Sequence, residues 1–259
     1  MSTSDWLHTD IGATTAETIT IRGHDLAGEL MGRVTFTELA FLLVQGRRPA
    51  AGETKLLDAV LVSLADHGLT PTVLAARLTH TGAPESLQGS VAAGLLGAGS
   101  VFLGVVEDAA VFLAQIIAAA PGDAESDLRA AAGTAVAARL GEGRRIPGLG
   151  HPIHRVEDPR TPRMYAIAAE AGVLGPHLRT LALVGAAAAE QTGRPLPING
   201  AGAAGAALAD LGFDPAIVRG FALLARTAGV VAHLAEEMRH PIGMPLFREL
   251  DERLSAEER

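Results

Sequence analysis

The stretch Ile146–Arg160, IPGLGHPIHRVEDPR, separates two long helical parts of the chain and cannot form a regular element itself. Its three prolines, Pro147, Pro152 and Pro159, lack an N–H donor and disfavour helical geometry in the residue before them. This excludes a continuous helix and a central strand. Its two glycines let the backbone approach a neighbouring group closely. The sequence therefore predicts a loop here.

The loop is basic, although the whole chain has a net charge of −8. It carries His151, His154, Arg155 and Arg160. Imidazole and guanidinium groups on an exposed backbone suit a small anion such as a phosphate or a carboxylate. A solvated loop with scattered arginines is the alternative. A metal site at His151, His154 and Asp158 is disfavoured, because the chain has no HExxH motif and a proline-broken loop gives the spacing little geometric meaning.

On either side of the loop, apolar residues recur at helical spacing and predict an all-α protein of about ten or more helices. A capping box at Thr35–Glu38 starts one helix, which is predicted to run to Gln45 and to stop at Gly46. A second helix is predicted over Glu53–His67, with Gly68 as its stop. The pair Thr161-Pro162 predicts the start of another. The uncharged stretch Val91–Val106 is predicted to be one buried central helix, since it is shorter than the ~20 residues that a bilayer requires.

Composition narrows the class of protein further. The absence of cysteine excludes a disulfide framework and thiolate chemistry. The acidic balance disfavours general nucleic-acid binding. The first residues, Met1–Trp6, lack the basic and apolar regions of a signal peptide, so the cytosol is the expected compartment. The alternating residues Thr18–Ile21 predict a short strand.

Two features outside the loop also bear on function. Arg226 stands in the apolar helical run Phe221–Ala235, where an unpaired guanidinium is costly to bury. It is therefore either half of an internal salt bridge or an anchor for a ligand anion. The glycines Gly200, Gly202 and Gly205 have the GxGxxG spacing of a dinucleotide site but lack the preceding strand and βαβ context. Close packing of helices is the better interpretation of these glycines.

Four separated stretches resemble the citrate synthase superfamily, in the same order along the chain. They are Ala65–Gly68 (ADHG), Ile146–Arg160, Leu196–Ala201 (LPINGA) and Ala225–Gly229 (ARTAG). The resemblance implies a citrate-synthase-like, all-α fold of two domains. Residues 1–105 and 207–259 would form a large helical domain, and residues 106–206 a smaller one that holds the coenzyme A and catalytic loop.

The resemblance also implies roles for individual residues. It makes His151 catalytic, in contact with the substrate hydroxyl. It assigns substrate binding to His67, Arg160, Arg226, Phe102 and Asn199. It assigns coenzyme A contacts to Ile146, Pro147, Gly148, Leu149, Gly150 and Arg155. The family implies no metal or redox cofactor, and its precedent implies a homodimer.

Within the superfamily, the chain is more similar to citryl-CoA lyases than to citrate synthases. Phe102 stands where synthases carry a histidine and where the lyase module of ATP-citrate lyase also carries phenylalanine. Ala201 stands where the family carries its catalytic aspartate, the group that exchanges the proton on the substrate carbon. We hypothesise that His154, the nearest other titratable group in the sequence, takes over this proton transfer.

The expected function is retro-aldol cleavage, or the reverse condensation, of a carboxylated 3-hydroxyacyl-CoA, rather than acyl transfer of the citrate synthase type. Ala201 keeps a second interpretation open. In that case the chain is a catalytically degenerate protein of the same fold that binds acyl-CoA and dicarboxylates or supports a partner subunit. A helical interaction protein without a small-molecule site is disfavoured by the basic loop and by Arg226.

Overall fold

A computed structural model describes residues 8–151 and 153–257 of the chain. Two predictions lie outside these residues: the one drawn from Met1–Trp6 about a signal peptide, and the one that Pro152 helps to break the helix. Within them, a small three-stranded sheet is followed by eleven α-helices, which confirms the all-α class predicted from the sequence. The helices are α1 Phe36–Gln45, α2 Ala51–Leu64, α3 Pro71–Gly82, α4 Leu87–Leu96, α5 Gly104–Ala119, α6 Glu125–Gly141, α7 Arg160–Glu170, α8 Pro176–Thr192, α9 Gly200–Asp210, α10 Pro215–Arg239 and α11 Gly243–Glu257.

The N-terminal sheet is antiparallel, with β1 Gly12–Thr14, β2 Ile19–Ile21 and β3 His24–Asp25 in that order. The predicted strand at Thr18–Ile21 is therefore confirmed as β2, and it has a partner on each side. A π-helical turn, Leu26–Leu30, connects the sheet to the helical part.

Local capping signals determine where helix α1 begins and ends, as predicted. The Thr35 side chain accepts a hydrogen bond from the Glu38 N–H, and the Glu38 carboxylate accepts one from the Thr35 N–H. The helix ends at Gly46, which adopts the left-handed conformation that favours glycine. The loop character of the stretch between α6 and α7 is likewise confirmed.

Three helix predictions were wrong in their limits. The stretch Val91–Val106 is not one helix, because the chain turns at Gly97–Leu103 and separates α4 from α5. Helix α2 ends at Leu64 rather than at His67. Helix α7 begins at Arg160, so Thr161 lies inside its first turn; the Thr161 hydroxyl donates to the Ile198 carbonyl at 2.9 Å instead of capping the helix.

Helix α10 contributes its first half to the large apolar core and its second half to a smaller apolar cluster shared with α3, and it packs against α2, α3, α4, α5 and α9. Among the described residues, it is the one helix whose length and apolar composition would allow it to cross a membrane, and 44% of its most apolar window is buried inside the protein. The short helix α9 is built almost entirely of buried glycine and alanine and packs against α5 and α8. The predicted domain boundaries fall inside α5 and α9, and the division into two domains stays a prediction.

Candidate active site

Three histidines from two distant segments meet at one place. The ring centroids of His67 and His151 lie 5.8 Å apart, and those of His151 and His154 lie 4.5 Å apart. His67 comes from the turn between α2 and α3, whereas the other two come from the loop between α6 and α7. We refer to these three residues as the histidine cluster.

The backbone fixes the protonation state of His151. Its Nδ1 accepts hydrogen bonds from the N–H groups of Ile153, at 3.1 Å, and His154, at 3.0 Å. A ring nitrogen that accepts from N–H groups carries no proton, so the proton of the neutral ring is on Nε2. Burial lowers the pKa of His151, and the charge of His154 lowers it further. His151 is therefore a neutral imidazole whose Nε2–H is a donor.

Asp158 is the fixed point of the loop. Its carboxylate is fully buried and accepts from Arg160 Nε at 2.9 Å and Nη2 at 2.7 Å, and from the N–H groups of Arg160 at 3.1 Å and Gly200 at 2.7 Å. Burial alone would raise its pKa, but the Arg160 guanidinium and the Gly200 N–H hold the pKa of this carboxyl well below its usual range. Asp158 thereby joins the loop to the first residues of α7 and α9.

The glycine-rich half of the loop lies against the segment that precedes α9. The Gly150 N–H donates to the Pro197 carbonyl at 2.7 Å, and the Asn199 N–H donates to the Gly148 carbonyl at 2.9 Å. A Cβ atom on Gly202 would lie 2.5 Å from the Gly148 Cα, so only glycine allows this approach. A Cβ atom on Gly205 would likewise meet the Val106 carbonyl of α5, so Gly202 packs closely against the loop and Gly205 against a helix.

The Asn199 side chain links the loop to α9. Its Oδ1 accepts from the Gly202 N–H at 2.8 Å and caps the helix, while its Nδ2 donates to the Gly150 carbonyl at 2.8 Å. Both ends of the amide are thus bonded to backbone groups. The predicted contact of Asn199 with a substrate stays a prediction.

Two arginines from distant elements converge on the C-terminus of α2. Arg226 Nε donates to the Leu64 carbonyl at 3.1 Å, and Arg160 Nη1 donates to the Ser63 carbonyl at 3.4 Å. The last carbonyls of a helix have no intrahelical donor and carry partial negative charge, so guanidinium groups are favourable there. These bonds hold both arginines beside the turn that carries His67.

The surroundings of Arg226 decide between the two interpretations of this residue. Its side chain is buried, at 6% exposure, and no carboxylate lies within 4.0 Å of its nitrogens in the described part of the chain. Burial lowers the pKa of Arg226, and the charge of Asp66 opposes this change. Arg226 therefore has no internal salt-bridge partner among the described residues. A bound anion would supply the missing charge.

The site as a whole is electropositive. Burial lowers the pKa of His67, and the charges of Arg160, Arg226 and His154 lower it further. The nearest buried carboxylate, Asp158, has its oxygens occupied by four donors. This arrangement can hold a polyanion, and the Nε2–H of His151 can donate to an oxygen of that ligand.

The remaining predicted residues are more peripheral. Phe102 lies in the turn before α5 with 40% of its surface exposed, and the Arg155 side chain is exposed. Within the described residues, no hydrogen bond or ring contact joins either of them to the histidine cluster. Ile146 is buried in the core, and Pro147, Leu149 and Gly150 are partly buried. The assigned roles of these residues stay predictions.

Sequence reasoning missed the role of Asp158 as a fixed point and the use of the α2 carbonyls by the arginines. The signal for Asp158 was its position two residues before an arginine at the start of a helix. No group of three histidine, aspartate or glutamate residues in the described ranges is arranged to hold a metal ion. Two cavities of about 420 and 260 Å³, beside the sheet and between α5 and α6, lie away from the histidine cluster.

A family model described as "Citrate synthase, C-terminal domain" matches residues 47–248 of the chain. Among solved structures, the chain is similar to citryl-CoA lyase from Hydrogenobacter thermophilus, with 32% sequence identity and a TM-score of 0.82. That match covers 90% of this chain and 87% of the other. No curated protein sequence matches the chain significantly.

Two more distant structures share the fold. ATP citrate lyase from Methanothrix soehngenii, in complex with citrate and coenzyme A, is 23% identical with a TM-score of 0.76, and the match covers 92% of this chain but 40% of that one. Citrate synthase from Thermoplasma acidophilum, in complex with carboxymethyl coenzyme A and oxaloacetate, is 18% identical with a TM-score of 0.65 and covers 80% and 54% of the two chains.

Proposed function

This chain belongs to the citrate synthase family, and from that premise we propose that it cleaves a carbon–carbon bond in a carboxylated 3-hydroxyacyl-CoA, as its relative citryl-CoA lyase does with citryl-CoA. The observation that carries the proposal is the buried Arg226, which among the described residues has no carboxylate within 4.0 Å of its nitrogens and lies near Arg160 and His67. Such a site requires a ligand that carries at least one carboxylate.

Retro-aldol cleavage breaks the bond between the α- and β-carbons of the thioester. The hydroxyl loses its proton and becomes a carbonyl, while the bonding electron pair moves to the α-carbon as an enolate. The enolate then takes up a proton and leaves as an acyl-CoA. The protein must therefore stabilise charge on the hydroxyl oxygen and deliver a proton to the α-carbon.

His151 suits the first of these tasks as a hydrogen-bond donor. Since its Nδ1 accepts from two backbone N–H groups, its Nε2–H is the ring donor left for a ligand. A fixed donor at the hydroxyl oxygen stabilises the developing negative charge without reorganisation. In this role His151 polarises oxygen, and the proton transfers fall to another group. His154, whose ring lies 4.5 Å away, is the group that we propose for them.

The carboxylates of the substrate would be held by Arg226, Arg160 and His67. Arg226 Nε is bonded to the Leu64 carbonyl of α2, and its two terminal nitrogens make no hydrogen bond within the described ranges. On the other side, Arg155 and the backbone of Ile146–Gly150 would hold coenzyme A. Coenzyme A complexes of two structural neighbours support this part of the proposal. The two-domain division, the homodimer and the cytosolic location belong to the same proposal.

A second candidate function is a catalytically degenerate binding protein. Ala201 favours it, because this partly buried residue in the first turn of α9 has no acid–base group where the family is expected to carry an aspartate. Such a protein would bind an acyl-CoA and a dicarboxylate without turnover, or would support an active partner subunit.

The test is a panel of 3-hydroxyacyl-CoA thioesters with and without a β-carboxymethyl or carboxyl group, incubated with the protein and analysed by mass spectrometry. We expect cleavage of carboxylated members only. Arg226→Met should lower kcat/KM for these members by at least about tenfold, since a buried charge–charge contact with the substrate is lost. Arg239→Met, at the exposed end of the same helix, is the matched control. A folded protein that binds CoA but cleaves no member would refute the lyase and favour the second candidate.

Proton uptake should accompany binding of a dicarboxylate at about pH 6–6.5. The pKa of His67 is lowered in the free protein by burial and by Arg160 and Arg226, and a bound carboxylate offsets those positive charges. The pKa therefore rises on binding, and a proton is taken up. Calorimetry in buffers of different ionisation enthalpy measures this number of protons, and His67→Gln should lower it. Proton release, or no proton change, would contradict the placement of the anion beside His67.

A further inference from the structure

One face of α10 contacts the turn that carries His67. Successive residues of that face meet successive residues of the turn. Arg226 Nε is bonded to the Leu64 carbonyl at 3.1 Å. One turn further along, Gly229 has no Cβ, which allows the Ala65 carbonyl to approach the helix closely. One turn further still, His233 Nε2 and Asp66 Oδ1 lie 2.9 Å apart. The residues 226, 229 and 233 share a helix face because of the 3.6-residue period.

Asp66 in turn shapes the backbone around His67. Its Oδ2 accepts from the Gly68 N–H at 3.0 Å, while its Oδ1 is paired with His233. The bond from the Gly68 N–H to the Asp66 carboxylate closes a turn around His67. Aspartate side chains commonly stabilise turns by accepting from the backbone two residues further on. The pKa of Asp66 is lowered by these bonds, although burial opposes the change. An ionised Asp66 is the form that holds both partners.

The Asp66 contact is the side-chain hydrogen bond that His233 makes in the described part of the chain. The His233 side chain is 14% exposed, and its Nδ1 lies 3.7 Å from Glu236 Oε2, beyond hydrogen-bond distance. Arg77, which is 3% exposed, pairs with Glu236 at 2.9 Å and with Glu237 at 2.6 Å and so connects α3 to the same part of α10.

We infer that His233 is a positioning residue for the proposed reaction: through Asp66 it fixes the turn that presents His67 to the substrate carboxylate. The expected effect on KM rests on the proposed function, whereas the expected effect on the order of the turn does not. His233 does not touch the reacting atoms. Its contribution is to keep the His67 ring beside His151 and Arg226 in the absence of ligand, so that binding does not have to order the turn.

The experiment compares His233→Phe, which keeps a ring but removes the donor, with His233→Gln, which keeps a donor near the position of Nε2. His240→Gln, at the exposed end of α10, is the control. Hydrogen exchange is followed for backbone amides of residues 62–69, and steady-state kinetics are followed with a carboxylated acyl-CoA. For His233→Phe we expect faster exchange in residues 62–69 only and a KM increase of about tenfold with kcat within about twofold. His233→Gln should restore both values to within about threefold of the unchanged protein.

Either of two results would overturn the inference. One is unchanged exchange in residues 62–69 of His233→Phe, or an increase spread equally over all helices. The other is a His233→Gln variant that behaves like His233→Phe, because the hydrogen bond to Asp66 would then not be the cause. If no variant, including the unchanged protein, shows turnover, the proposed function fails, while the exchange measurement still decides the role of His233.

Discussion

In a His154→Ala background, which lacks the acid–base group proposed for this protein, replacing Ala201 with aspartate is expected to raise the rate of carbon–carbon cleavage by about 10²–10⁴-fold, the usual contribution of a positioned acid–base group. Ala201 is the second residue of α9, and Asn199 caps that helix. The N-terminus of a helix stabilises a carboxylate, so an aspartate here would stay ionised and able to exchange a proton with the α-carbon of the thioester. The rate is measured as acyl-CoA release, together with deuterium incorporation into the acyl-CoA from heavy water.

Ala201→Asn is the matched control, since it has the same shape as aspartate but no acid–base function. We expect it to leave the rate at or below that of the unchanged protein. If Ala201→Asp and Ala201→Asn give the same rate, position 201 does not face the α-carbon, and the resemblance has been carried over to the wrong residue. If the aspartate variant is instead the faster of the two, His154→Ala should cost little in the Ala201→Asp background, because the aspartate replaces the proton transfer proposed for His154.

Asp158→Ala is expected to lower the free energy of unfolding by about 3 kcal/mol, because it leaves the half-buried Arg160 guanidinium and the Gly200 N–H without their acceptor. Asp158 is fully buried and accepts four hydrogen bonds, whereas an exposed ion pair contributes little. Glu142→Ala, which removes an exposed partner of Arg144, is the control and should cost less than about 1 kcal/mol. Urea unfolding monitored by circular dichroism gives both values.

The pH dependence of this difference has a defined sign. The folded pKa of Asp158 lies below its unfolded value of about 3.9. Its contribution is therefore fully present above the unfolded pKa and is lost as the pH falls towards the folded pKa. The difference between the unchanged protein and Asp158→Ala should be constant from pH 7 to about pH 5 and should shrink below about pH 4. A difference that grew on acidification would contradict the pairing of Asp158 with Arg160.

The parts of the fold that local chemistry controls could be predicted from the sequence. Helix α1 has its capping box and its glycine stop within a few residues of each other, and both are where they were expected. The end of α2 could not be found in this way, because its last carbonyls are taken by Arg160 and Arg226 from distant elements. The turn between α4 and α5 was concealed by the uncharged, apolar composition of the stretch.

Part of the candidate site could also be predicted from the sequence, and part depends on contacts that form only in the folded chain. The basic loop and the unusual Arg226 are visible in the sequence, and the order of the motifs identified the family. The fixed tautomer of His151 could not be predicted, since it depends on how the loop backbone folds over the ring. The role of Asp158 depends on Gly200, which is far away in sequence and close only after α9 has packed against the loop.

The most direct test of the central claim is a crystal structure of the protein with a carboxylated 3-hydroxyacyl-CoA bound. We predict that the carboxylates lie within hydrogen-bond distance of Arg226, Arg160 and His67, and that the hydroxyl oxygen accepts from His151 Nε2. A polyacid bound away from these four side chains, or an Arg226 paired with a protein carboxylate while the ligand lies elsewhere, would contradict the account.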